Sequence, residues 1–315
     1  REQHEREQHE ARARTGDGMR AMDGPARTVG GPALAPAALA AYGGGWPASL
    51  QATVRRAGQR SVLGAVAHRG PLRLQKALWP EGGDPVHLLL LHPPGGIAGG
   101  DSLQLDLQLT AGAQALLTTP GAGHWYRADS PATQHASVRL AAGAALEWLP
   151  QETIVHDGAQ ADSTLHFELD ASACLIGFEL TVLGRRAAGE RFERGSFRQR
   201  LSLRRGGTLL LHDDARIAGG LPRTAAVLGG RHVSGLLWAV GPDGFDEDLV
   251  QAVETAMTGT GAELAGATQA ASGLLLARVV ESSPELARRA LVAAWQQLRL
   301  PLLGRAARTP RIWMT

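Results

Sequence analysis

Three kinds of residue in this chain have the chemistry for a functional site. The first is the stretch "HPPGGIAGGD", His92 to Asp101, where a glycine-rich loop follows the apolar run "VHLLLL". The second is a set of acids in or beside apolar runs: Glu179 in "GFELTVLGR" and the Asp213-Asp214 pair in "LLLHDDAR". The third is a group of histidines near turns, His124 in "TTPGAGHWYR" and His156 in "QETIVHDG", together with one cysteine, Cys174. A strand running into glycines suggests a phosphate cradle, but a Walker A loop needs Lys followed by Ser or Thr, and neither is in place. A dinucleotide fingerprint needs a helix whose N-terminus meets the pyrophosphate. Here "GGD" runs straight into "SLQLDLQL", which alternates as a strand does. The loop therefore reads as a crossover stiffened by Pro93-Pro94, and Asp101 either caps the turn or faces a cavity.

Nucleophilic and metal chemistry are no better served by motif. There is no G-x-S-x-G elbow, and Cys174 sits among Ala, Leu and Ile as a small buried hydrophobe would. No H-x-H pair, H-x-x-x-H helix or cysteine cluster offers a closed metal cage. His124 and His156, taken singly, read as surface histidines. Glu179, Asp213 and Asp214 are more informative, because an acid in an apolar strand must be paired, hydrated or functional. Arg185 and Arg186 are available partners.

The elements that would carry these residues are mostly strands. "SLQATVRRAGQRSVLGAVAHRG" alternates about a turn at Ala57-Gly58, and period two continues to Ile217 with no sustained 3.6-residue period. A faint repeat of strand, short turn and strand begins at Leu109, Leu140 and Leu169, spaced by about 30 residues, which suggests stacked layers. A sandwich of similar hairpins is the alternative. Helices come late. "DEDLVQAVETAMTG" has acids at its start and glycine at its end. "SPELARRALVAAWQQLR" opens on Ser-Pro and carries an apolar stripe of Leu286, Ala290, Ala293, Ala294 and Leu298. The expected fold is mainly β, an irregular β-helix or stacked-sheet scaffold with a small C-terminal helical layer. Residues 1–45, with the pentamer REQHE twice, read as a disordered polar tail, and 46–315 as one domain.

Composition narrows the function. The 315 residues are 44% hydrophobic with a net charge of +2, and Lys76 is the single lysine. No basic cluster with interleaved aromatics points to nucleic acid. No apolar run approaches the roughly 20 residues that span a bilayer. One cysteine excludes an internal disulfide and fits a reducing, cytoplasmic setting. A β-solenoid carbohydrate-active enzyme is the rival class, but hydrolases of that kind need a paired acid and base and aromatics are only 4%.

Taken together, "LLLLHPPGGIAGGD", "LLTTPGAGHWYR", "LEWLPQETIV", "LGRRAAGERFERG" and "LRLPLLGRAARTPRIWMT" resemble, in this order, motifs of the urease accessory protein UreD family, called UreH in some organisms. The resemblance runs from about Trp46 to Thr315. It implies a β-rich scaffold with no catalytic residues that binds apo-urease and recruits UreF and, through UreF, the GTPase UreG. It also implies nickel in transit through an interior tunnel, with no tightly bound cofactor. Asp101, Glu179 and Asp213 match acidic tunnel positions, although the alignment around "HDDAR" could equally select Asp214. His124 stands where many relatives carry Lys, and it either adds a nickel-competent imidazole to that set or keeps a polar contact.

Overall fold

The computed structural model describes residues 44–224 and 226–314. The tail expected over 1–45, with its REQHE repeat, therefore falls outside the described residues but for its last two positions.

Two sheets dominate. The first has the order β14 (Thr208–Ala218), β13 (Ser196–Arg205), β11 (Gln160–Leu169), β8 (Ala132–Leu140), β5 (Ser102–Leu109), β1 (Pro47–Ala57) and β2 (Arg60–Arg69). The second has the order β16 (Leu264–Ala271), β17 (Leu274–Glu281), β15 (Val233–Val240), β12 (Cys174–Leu183), β9 (Ala145–Trp148), β6 (Gln114–Thr118), β4 (Val86–Leu91) and β3 (Arg73–Leu74). Two short strands, β7 (Gly123–Trp125) and β10 (Thr153–Val155), pair in parallel with each other, and β10 pairs with the end of β12. Helices α1 (Glu247–Thr258) and α2 (Pro284–Leu303) cover the outer face of the second sheet. No helix among the described residues is long and apolar enough to cross a membrane.

The expected 30-residue repeat is the winding of the chain between the sheets. β5, β8, β11 and β13 are parallel neighbours in the first sheet, and β4, β6, β9 and β12 in the second. Leu109, Leu140 and Leu169 fall on one row. Each then enters a turn closed by Ala113 N–H to Thr110 O, Ala144 N–H to Ala141 O and Ala173 N–H to Asp170 O. Gly112 and Gly143 turn with φ of 65° and 63°, which a side chain would resist. The third copy has Ser172 instead, and Asp170 Oδ1 accepts its N–H and its hydroxyl. The three turns are thus one device built from two chemistries.

Identical spacing stacks like on like. Ala52, Leu107, Val138, Phe167 and Leu203 lie side by side and are buried; each large one contributes about 1.5–3 kcal/mol relative to exposure. One core fills the space between the sheets and a second lies between the outer sheet and the helices. The α2 stripe differs in detail from its expectation. Ala290, Ala294 and Leu298 are buried as expected, but Ala287, Leu291 and Trp295 replace Leu286 and Ala293 on the packed face. Cys174 opens β12 and is half-buried, where the sequence placed a small buried hydrophobe. Strand β16, in "LAGATQAA", had no counterpart in the sequence reading because its exposed face leaves the alternation weak.

Arg299 is wholly buried on α2. Its guanidinium bonds Glu147 at 2.8 and 3.1 Å, Glu81 at 2.7 Å and the Ala306 carbonyl at 2.7 Å, while Trp295 Nε1 donates to Glu147. Burial pushes the Glu81 carboxyl up, but hydrogen bonds from His87 and Arg299 outweigh it and hold it at about 2. Trp313, from "PRIWMT", donates to Thr118 Oγ1 on β6 and lies under the Arg288 guanidinium. The C-terminal motif therefore clamps helix to sheet.

Candidate functional site

Alternate residues of β12 serve different cores. Ile176, Phe178, Leu180 and Val182 pack under the helices, whereas Leu175 and Leu183 face the first sheet. Glu179 and Thr181 share the phase of the second set, so they point between the sheets. Opposite them the first sheet breaks its apolar alternation at one row. Gln134, Ser163 and Gln199 are register partners on β8, β11 and β13, each on the inward phase of its strand. A polar lane thus crosses an otherwise apolar interior.

At one end of this lane is a cavity of about 290 Å³. Leu103, Leu105, Gln134 and Ala136 line it from the first sheet, and Leu117, Trp148 and Glu179 from the second. Its rim is the glycine loop at Gly95–Ile97, the turn at Thr119–Gly123, His124, and the segment Pro150–Thr153. These loops are tied to one another. Gln151 N–H donates to Thr119 Oγ1, Gly123 N–H to Glu152 O, and Ile97 N–H to His124 O. A Cβ on Gly96 would collide with the Tyr126 ring and with His124, so glycine is needed there for close approach. The loop "HPPGGIAGGD" is the expected crossover between sheets, and it also forms one wall of the cavity.

Glu179 is the single carboxylate among the described lining residues. Burial raises its carboxyl to about 7, against the lowering effects of a hydrogen bond from Gln199 Nε2 and of the nearby Trp148 indole. The Trp148 N–H completes no hydrogen bond itself and is left as a buried donor. At neutral pH the carboxyl is poised between its charged and neutral forms.

His124 lines the rim and is joined to His156, Nδ1 to Nε2 at 3.0 Å. Tyr126 packs against both rings. Burial first, then the Arg185 charge, lowers both imidazole pKa values, and Glu152 and Glu190 act weakly in the other direction. His156 is itself buried, which corrects the surface reading given to it from sequence. Its turn is held by "LGRRAAGERFERG": Asp157 accepts the Glu193 and Arg194 N–H groups, and Glu190 accepts Asp157 N–H while pairing with Arg185 at 2.6 Å.

The other two acids lie apart from the cavity. Asp101 caps its loop, accepting Trp46 N–H and Ala98 N–H at 2.8 Å each. Asp213, in register with buried Leu201, faces between the sheets at the edge strand and pairs with Arg278 at 3.0 Å. Asp214 points the other way, to a two-pronged pair with Arg198, which settles which of the two faces inward. The structure therefore brings Glu179 and His124 to one cavity and leaves Asp101 and Asp213 in pairings of their own. Sequence reasoning missed Gln199 and Trp148, and it named His156 without joining it to His124. The first was detectable as a polar residue on the apolar phase of "FRQRLSL".

A model of the UreD urease accessory protein family matches residues 47–314. The chain is 42% identical over 282 residues to the urease accessory protein UreD of Pseudomonas fluorescens (strain Pf0-1), covering 89% of this chain and 99% of that protein. It is 43% identical over 279 residues to the UreD of Ralstonia nicotianae, 86% of this chain and 94% of that one. It is 44% identical over 275 residues to the UreD of Pseudomonas aeruginosa, 86% and 95% respectively. With the match extending from β1 to the C-terminal clamp, this chain belongs to the UreD family of urease accessory proteins.

Proposed function

We propose that this chain is a non-enzymatic scaffold of urease maturation that binds apo-urease, recruits UreF and through it the GTPase UreG, and passes nickel between its two sheets. Membership of the family supports the urease maturation role itself. The observation that carries the nickel reading is the inter-sheet cavity with one poised carboxylate, Glu179, continued by the lane of Gln134, Ser163 and Gln199. Conduction needs sites that attract an ion without trapping it. A carboxyl that ionises near 7 exchanges its proton for a dication at little cost, and lone amide and hydroxyl oxygens replace hydration waters one or two at a time. Among the described residues no group of three or more His, Cys, Asp or Glu is placed to hold a metal, and such a cage would stop the flow.

The carbohydrate-hydrolase reading is not favoured, since it needs two carboxylates flanking one bond and the described lining has one. On the proposed reading the chain works in the cytoplasm beside its partners. Co-expression with UreF, UreG and urease subunits, followed by pull-down through a tag on this chain, tests the scaffold role. Recovery of UreF and urease together supports it; recovery of this chain alone, soluble and monomeric, overturns it.

A further inference from the structure

We propose that His124 and His156 form a two-imidazole site for a borderline transition-metal dication at the rim of the inter-sheet cavity, ahead of Glu179. Their facing nitrogens, Nδ1 and Nε2, are 3.0 Å apart. Two nitrogens each about 2.1 Å from one ion, and at right angles about it, have that same separation of about 3.0 Å. Imidazole suits nickel, copper and zinc. With ring centroids 5.3 Å apart the two nitrogens face each other head-on across the hydrogen bond, so each ring tilts on binding for both lone pairs to meet at a common point. On binding, the hydrogen now shared between the rings leaves the gap: the ring that carries it tautomerises, and its proton moves to its other nitrogen. No oxidant or net proton loss is involved.

The backbone that carries the pair is held in place before any ion arrives. His156 is anchored by its N–H to Trp125 O, and its turn by Asp157 with Arg194. His124 sits in β7 opposite Ile154, with its carbonyl taken by Ile97 N–H. Tyr126 packs on both rings, 5.9 Å from His124 and 4.9 Å from His156. Binding therefore reorients two rings on a fixed backbone.

The local charges balance rather than reinforce. Arg185 faces the pair but is bound by Glu190, and Glu152 faces it but lies 3.5 Å from Arg288. With two neutral ligands and no neighbouring free carboxylate in contact, the site binds weakly and exchanges readily, completed by water. That is the character needed at the mouth of a path and not of a store. Its cargo being nickel rests on the proposed function; its capacity for a dication rests on geometry alone.

The test uses the full chain carrying His4→Asn and His9→Asn, which removes tail histidines as competing ligands. Ni²⁺ is titrated calorimetrically at pH 7.5, and Cu²⁺ is loaded for pulsed electron paramagnetic resonance. The expected result is one Ni²⁺ per chain and a spectrum of two coupled imidazoles. His156→Gln and His124→Gln should each weaken Ni²⁺ binding at least roughly tenfold, since even an outer partner of a metal ligand is worth that much, and each should leave one imidazole on Cu²⁺. His124→Lys provides a second variant should a Gln variant fail to fold. Unchanged affinity in folded variants, or a wild-type spectrum without two imidazoles, would overturn the site. Two-imidazole binding by a chain that captures no UreF or urease would leave the site standing and sink the proposed function instead. A chain that activates urease but shows no imidazole-bound metal would do the reverse.

Discussion

Replacing Glu179 with Gln should make the metal-free protein more stable at alkaline pH, and the size of the gain follows from the site. The carboxyl ionises at about 7 in the fold, against an ordinary 4.5 once unfolded. Below pH 4.5 it is protonated in both states and contributes nothing. Between 4.5 and 7 the unfolded chain sheds the proton while the fold keeps it, so stability falls as pH rises. Above 7 the penalty is complete, up to about 3 kcal/mol. Gln at 179 has no proton to lose, and its carbonyl still accepts from Gln199 Nε2. Glu179→Gln should therefore gain up to about 3 kcal/mol over wild type at pH 8 and lose that advantage steadily toward pH 4.5. Guanidinium unfolding followed by tryptophan fluorescence at pH 5, 6.5 and 8 reads this as a pH-dependent gap in midpoint at constant slope. A gap that does not change with pH, or a variant less stable than wild type at pH 8, would refute the burial argument.

Glu81 should behave in the opposite sense. Held at about 2, it adds stability above pH 4.5 that is lost as pH falls toward 2, and Glu81→Gln should flatten the acid limb of an ellipticity titration by roughly 3 kcal/mol. Arg299→Met should cost about 3–5 kcal/mol in denaturant unfolding at pH 7, because Glu147 and Glu81 lose their buried cation. Gly177→Ala should cost about 1–3 kcal/mol and alter the near-ultraviolet ellipticity, since its Cβ meets the Trp238 ring at 2.6 Å.

Much of the fold was readable from local pattern. Period-two alternation located β5, β8, β11 and β13, and the spacing of Leu109, Leu140 and Leu169 foretold their shared row. Caps located both helices: Asp246 accepts Leu249 N–H, and Ser283 accepts Leu286 N–H. The site was less legible because it is assembled across coils. Glu179 stood out as an acid in an apolar strand, and its burial followed. His156 was named only as a lone histidine, because its partner lies 32 positions away and parallel pairing of β7 with β10 creates the contact. Asp101 and Asp213 looked like equals of Glu179 in sequence; only the positions of Trp46 N–H, Ala98 N–H and Arg278 show how each is occupied.

The most direct test of the central claim is the nickel content of urease matured with UreF, UreG and limiting Ni²⁺, comparing wild type with Glu179→Gln of this chain, with complex assembly checked by pull-down. Passage between the two sheets predicts that the Glu179→Gln complex assembles normally while the urease it matures carries several-fold less nickel. Equal nickel in both, from equally assembled complexes, would contradict passage of the ion between the two sheets.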